Sequence, residues 1–497
     1  MTTLSFSARP GSRLARCLAA MAALLALAGC AADRAIGPQE KLPAQDEQAK
    51  RLQLGTAPDP VAAQWWKAYQ DAELDRWIRL GLADSPSLHE AAARAARARA
   101  YFDVARAAQR PTLNAAADVD NQRISQNGFF PPPLAGFVGN VWDAGLSGSI
   151  DFDLFGRLAA RTDAARIGAQ AQDLDRTQVD IRLAGAIAHA YFELAHAQQS
   201  QRILVELQQD REQTLDLVRR RVAAGFDTKV ETRLAEVPVP QIRADIERAN
   251  EQIALARHAL ALLAGQGPQA ADAVEARMPQ NNALEPPPAL PLDLLARRAD
   301  VAAARLQVSA TLRSVDAARA DFYPNVNLTA LVGLDALTLR RLFQGPSRTW
   351  QVEPAIHLPI FEGGLLRGNL RAASADTDAA ISAYNAAVLQ AAGEVADALA
   401  SIASVRRQLV LQQEATQSAV AAFDLATVRY RAGLGNLLSV LSAQGSVLQQ
   451  RRAEIDLTGR LAALDVSLAL ALGGGYEGKA AAAAAVAANA VAAPVSP

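Results

Sequence analysis

The side chains with the most chemical potential lie in HAYFELAHAQ, where His189, Glu193 and His196 fall at i, i+4 and i+7. On an α-helix this spacing puts all three on one face, where they could present three ligands to a metal ion. No second ligand set accompanies them, and polar positions on a helix surface give the same pattern, so no metal site is expected. Glu394 and Asp397, in GEVADAL, lack an activated nucleophile or a cofactor fingerprint beside them and read as solvated or interhelical pairing charges rather than an acid and base pair. The five histidines are scattered, and no HExxH, phosphate-binding loop, nucleophile elbow or CxxC occurs. The expectation is no enzyme and no cofactor.

Cys30 has a different chemistry. It closes LAGC, behind Arg9, Arg13 and Arg16 and an apolar stretch from Cys17 to Ala28, which has the layout of a secretory signal and is too short to span a bilayer as a helix. The tetrapeptide resembles the lipobox of bacterial lipoproteins, which implies removal of residues 1–29 and attachment of diacylglycerol and an N-acyl chain to Cys30. Two or three chains give the stable anchoring that one does not. Ala31 stands where an aspartate would retain such a protein at the inner membrane, so the outer membrane is favoured. Loss of the signal takes 50 basic and 51 acidic residues to a net charge of about −4, and nothing resembles a nucleic-acid footprint.

The elements that carry these residues are long. Apolar content is 51% with only 5% aromatic, a balance that rests on alanine and suits thin, closely packed helices. Helices are expected over about 156–224, 229–264, 365–431 and 436–471. Val388, Val395, Ile402 and Leu409 recur every seven residues, with Ala391, Ala398 and Val405 between them, the seam of a coiled coil. Four segments switch to period two, at about 112–121, 141–154, 325–334 and 350–360. In VWDAGLSGSIDFDL the even positions are apolar, while Asp143, Asp151 and Asp153 alternate with them; Gln351 takes the corresponding place in the last strand. Each segment is long enough to cross a bilayer as a tilted strand with one face for lipid and one for water. Trp142 and Trp350 are placed as interfacial aromatics, and Pro354 and Pro359 should make the last strand irregular. Four strands cannot close a membrane barrel, so the chain must oligomerise: two copies give eight strands, three give twelve and an open lumen.

ARAAQRPTLNAAADV parallels ARADFYPNVNLTALV, and the glycine pauses RRVAAGFDTKVETRLAE and RYRAGLGNLLSVLSAQ lie 208 residues apart. This indicates a duplicated domain: an arm over 30–75, repeats over 76–277 and 292–472, a Pro-rich linker over 278–291, and a low-complexity tail over 473–497. The pauses read as turns between long helices, with Gly225 and Gly433 free to take positive φ and with Arg221, Arg429 and Arg431 exposed as candidate contacts.

Taken together, LAGC, ARADFYPNVNLTALVGL, IHLPIFEGG, VLQAAGEVADALASI and RYRAGLGNLLSVLSAQ resemble the TolC-like outer-membrane efflux channels, in the lipoprotein branch that serves resistance-nodulation-division pumps. The resemblance covers nearly all of the chain. It implies a mainly α fold with a membrane β-barrel: a homotrimer with a twelve-stranded barrel in the outer-membrane lipid, a periplasmic helical barrel and a mixed equatorial belt. It also implies a passive conduit for small molecules, partnered by a periplasmic adaptor and an inner-membrane pump, with Leu438 and Ser442 at the periplasmic aperture. Two departures stand out. Arg298-Ala299-Asp300 replaces the usual Arg-Pro-Asp, which should let that helix start fray. Ser442 replaces an aspartate, which removes an acidic ring. A type I protein-secretion conduit and a lipid-anchored periplasmic coiled-coil adaptor are the alternatives; the adaptor class lacks two amphipathic hairpins of membrane length.

Overall fold

A computed structural model describes residues 36–42, 61–280 and 298–476. Cys30 and the signal, almost all of the Pro-rich linker and nearly all of the tail lie outside the described residues. The helices are α1 (Ala72–Asp84), α2 (Pro86–Ala107), α3 (Arg157–Ala223), α4 (Lys229–Glu236), α5 (Pro238–Leu263), α6 (Ala299–Ala320), α7 (Leu339–Leu342), α8 (Leu365–Arg431) and α9 (Leu437–Ala471). The strands are β1 (Thr112–Arg123), β2 (Val138–Asp151), β3 (Asn325–Ala336) and β4 (Arg348–His357). The chain divides into two compact units, and the 67-residue helices α3 and α8 each contribute to both.

The first unit holds the sheet, an antiparallel meander in the order β1-β2-β3-β4. Its strands depart from the expected bounds. β2 begins at Val138 and stops at Asp151, because Asp153 takes φ 46° and turns the chain into α3, whose first free N–H groups its carboxylate accepts from Leu158 (2.8 Å) and Ala159 (2.7 Å). Asp153 is thus a helix cap and not a member of the strand's polar face. β4 starts at Arg348 and ends at His357, so Leu358–Ile360 fall outside it. Pro354 stays in register opposite Leu328. The β3–β4 register runs unbroken through Pro354, so the expected irregularity does not occur there. Below the strands, Arg161 pairs bidentately with Asp321 at 3.1 Å, and Arg157 reaches Asp151 at 2.7 Å.

The second unit is helical. Its largest core gathers Trp65, Trp66, Tyr69, Leu74, Trp77 and Ile78 against Ile187, Tyr191 and Leu194 of α3, Leu260 of α5 and Val466 of α9. The tryptophan-rich end of the expected arm is therefore packed into this core. Two buried hydroxyls there are paired: the Tyr69 hydroxyl donates to Asp465 and the Tyr191 hydroxyl to Asp71, both at 2.7 Å. The α8 seam is buried at Val388, Ala391, Val395, Ala398, Ile402 and Val405. The helix expected over 229–264 is instead two, broken at Val237 where Pro238 and Pro240 follow, since a proline ring clashes with the preceding turn and donates no hydrogen bond.

The start of α6 does not fray. Arg298 is buried and makes a fork to Asp300 at 3.0 and 2.7 Å, with further bonds to Glu394 at 2.5 Å and to the Ala471 carbonyl at 3.4 Å. The guanidinium holds this helix start in place without the proline. Glu394 is accordingly an interhelical pairing charge.

Candidate functional site

Register assigns the sheet two faces of opposite character. On one, Leu113, Ala115, Ala117 and Val119 of β1 stand against Gly148, Leu146, Ala144 and Trp142 of β2. The row continues through Leu328, Val332 and Leu334 of β3 to Pro354, Trp350 and Arg348 of β4. The opposite face carries Asn114, Ser147 and Gln351, with the row Asp118, Asp143, Asp335 crossing three strands. A half-buried soluble sheet would cover the apolar face, yet Leu113, Val332, Val352, Ile356 and Trp350 are all exposed, Trp350 at 77%. Trp142 is not at a strand end as expected: it lies four residues inside β2, opposite Val119 and Ala336. Trp350 is two residues from the start of β4. The alternation was legible in the sequence. The aspartate row was not, because it needs the register of three strands.

Two turns form the second constellation. Each closes a 67-residue helix in the same way: Phe226 N–H donates to the Arg221 carbonyl and Gly225 N–H to Val222, while Leu434 N–H donates to Arg429 and Gly433 N–H to Tyr430. This pattern requires a left-handed residue at the glycine, and Gly225 and Gly433 have φ of 76° and 73°. After each turn a side chain caps the next helix, Thr228 with Glu231 for α4 and Asn436 for α9.

Arg221 is not the exposed contact that the sequence suggested. Its guanidinium donates to Asp227 at 2.8 Å and to the Tyr430 carbonyl at 2.9 Å, and lies 4.5 Å from the Tyr430 ring centroid. The Tyr430 hydroxyl donates to the same carboxylate at 2.5 Å, and Tyr430 is only 1% exposed. Burial raises the Asp227 pKa, but the bonds from Arg221 and Tyr430 outweigh it and hold the carboxyl below its usual value. The Tyr430 hydroxyl is pushed up by burial and by that carboxylate. One residue triad therefore ties the first turn to the second. Arg429 and Arg431 remain exposed, with Arg429 spending one N–H on the Leu434 carbonyl at 3.4 Å. Leu438, 66% exposed, and Ser442 lie one turn apart on the exposed side of α9.

His189, Glu193 and His196 share a groove of about 470 Å³ with Asp456 and Arg460 but do not converge. His196 bonds Asp456 at 3.0 Å, His189 lies 3.5 Å from the Ser467 hydroxyl, and among the described residues no three ligating side chains form a metal cluster.

Comparison with known proteins gives a consistent answer. Residues 77–266 and 290–474 match the family described as "Outer membrane efflux protein". The chain is 35% identical to outer membrane protein OprJ of Pseudomonas aeruginosa, over 83% of this chain and 86% of that one. It is 31% identical to the multidrug resistance outer membrane protein MdtP of Escherichia coli, over 91% and 94%. Among solved structures, the outer membrane protein VceC of Vibrio cholerae superposes with a TM-score of 0.79 at 34% identity, covering 84% of this chain and all of that one.

Proposed function

The chain belongs to the outer membrane efflux protein family and is an outer-membrane component of an efflux system; from that premise we propose that three copies form a passive conduit that carries small molecules through the periplasm and the outer membrane. The observation that carries the reading is the sheet: four strands, an exposed apolar face, a polar face, and two edges, β1 and β4, that pair with nothing among the described residues. An open edge in hydrocarbon leaves unsatisfied backbone groups, so the strands must close, and four are too few. Three chains give twelve strands around a water-filled lumen lined by Asp118, Asp143, Asp335 and Gln351.

The family is one of conduits and not of enzymes, so the energy comes from elsewhere: from an inner-membrane resistance-nodulation-division pump, joined through a periplasmic adaptor that meets Arg429 and Arg431. At about 1.5 Å per residue, α3 and α8 are each on the order of 100 Å long, which suits a periplasmic tube built on an internal two-fold repeat. Acyl chains on Cys30 add the anchor. Three copies of Leu438 make an apolar collar at the aperture that resists wetting. The purified chain is expected to run as a trimer in mild detergent and to conduct ions in planar bilayers once the turns are loosened. A monomer without conductance would contradict the proposal.

A further inference from the structure

The sheet end formed by the two strand-joining loops carries an unassigned cluster of positive charge. The loop over 124–137 has no charged residue, and the loop over 337–347 has only Arg340 and Arg341. Arg123 ends β1 opposite Val138, and Arg348 begins β4 opposite Leu334. By strand alternation Arg123 shares its face with Val119 and Trp142, and Arg348 shares its face with Trp350. Both arginines therefore stand on the apolar face, while Asp118, Asp120, Asp143, Asp335 and Glu353 stand on the other. All four arginines are exposed, and among the described residues no ion pair is found for any of them. Val138, Leu339, Phe343 and Trp350 beside them are exposed as well.

An arginine on a lipid-facing strand is costly at the bilayer midplane and nearly free at the headgroup level, where a tryptophan just below it also belongs. The guanidinium fork matches phosphate bidentately. We propose that Arg123, Arg340, Arg341 and Arg348 form a rim that binds the phosphates of the outer-leaflet glycolipid, a bis-phosphorylated diglucosamine bearing acyl chains, with Trp350 and Phe343 against those chains. The inference rests on the channel reading. Closing the barrel edge to edge also brings Arg123 of one protomer to the side of the next that carries Arg348, which makes a composite site.

The test uses the full acylated chain, purified as its trimer and stripped of endogenous lipid, with bound lipid counted by native mass spectrometry. Diphosphoryl lipid A should be retained, and both its dephosphorylated form and the Arg123→Gln/Arg348→Gln variant should show roughly tenfold weaker retention. The Arg340→Gln/Arg341→Gln variant should weaken it further when combined, while conductance in planar bilayers stays unchanged. Equal retention by the wild type and the fourfold variant, with conductance intact, overturns the rim and leaves the channel reading standing. Competition by inorganic phosphate at concentrations equal to the lipid would make this a simple anion site and also overturn it. If neither form assembles or conducts, the channel reading falls first and the rim with it.

Discussion

At the scale of single residues, the account turns on who satisfies whom. Asp227 takes hydrogen bonds from Arg221 and Tyr430, and its carboxyl sits below the ordinary value. A group depressed in this way contributes stability that is fully present above its unfolded pKa, about 3.9 for aspartate, and lost as the pH falls through the folded value. The turns should therefore stay tied at neutral pH and loosen only in acid below about pH 4, seen as rising conductance. Asp227→Asn should weaken the tie by about 1.5–3 kcal/mol and remove that acid step. Arg298→Ala leaves Asp300 and the partly exposed Glu394 without their cation, at a cost of about 1.5–3 kcal/mol, read as a lower melting temperature. The sequence marked Glu394 as a candidate pairing charge and Arg298-Ala299-Asp300 as unusual, but it did not identify the partners. Tyr430 and Asp227 are 203 residues apart, and Arg298 and Glu394 are 96 apart, so their pairing depends on tertiary structure.

Elements were more legible, because their signals are local. The 67-residue helices follow from proline-free, alanine-rich tracts, and the turns from the glycines that recur 208 residues apart. Gly433→Ala should cost about 1–2 kcal/mol through its positive φ alone, since a Cβ there meets nothing within 4 Å; a larger loss of thermal stability would mean that the turn packs against something else. Strand bounds were less legible. The alternation of VWDAGLSGSIDFDL runs on past Asp151, where the turn into α3 ends the ladder, so periodicity alone overshoots. The break at Pro238 is signalled in the sequence by VPVP over 237–240, where two prolines interrupt the expected helix.

At the scale of the whole molecule, the proposed closed assembly rests on the two faces of the sheet and on the two strand edges that are open among the described residues. Ser442 places no charge beside Leu438, so Ser442→Asp should raise cation selectivity, measured as a shift of reversal potential in a salt gradient; an unmoved potential would remove the aperture assignment. The number of copies is the central claim, because lumen, collar and rim all depend on it. A single-particle reconstruction of the full-length chain in lipid nanodiscs tests it most directly. Three-fold symmetry is predicted, with β1 of each copy hydrogen-bonded to β4 of the next in a twelve-stranded barrel. A monomer with bare strand edges, or an eight-stranded dimer, would contradict it.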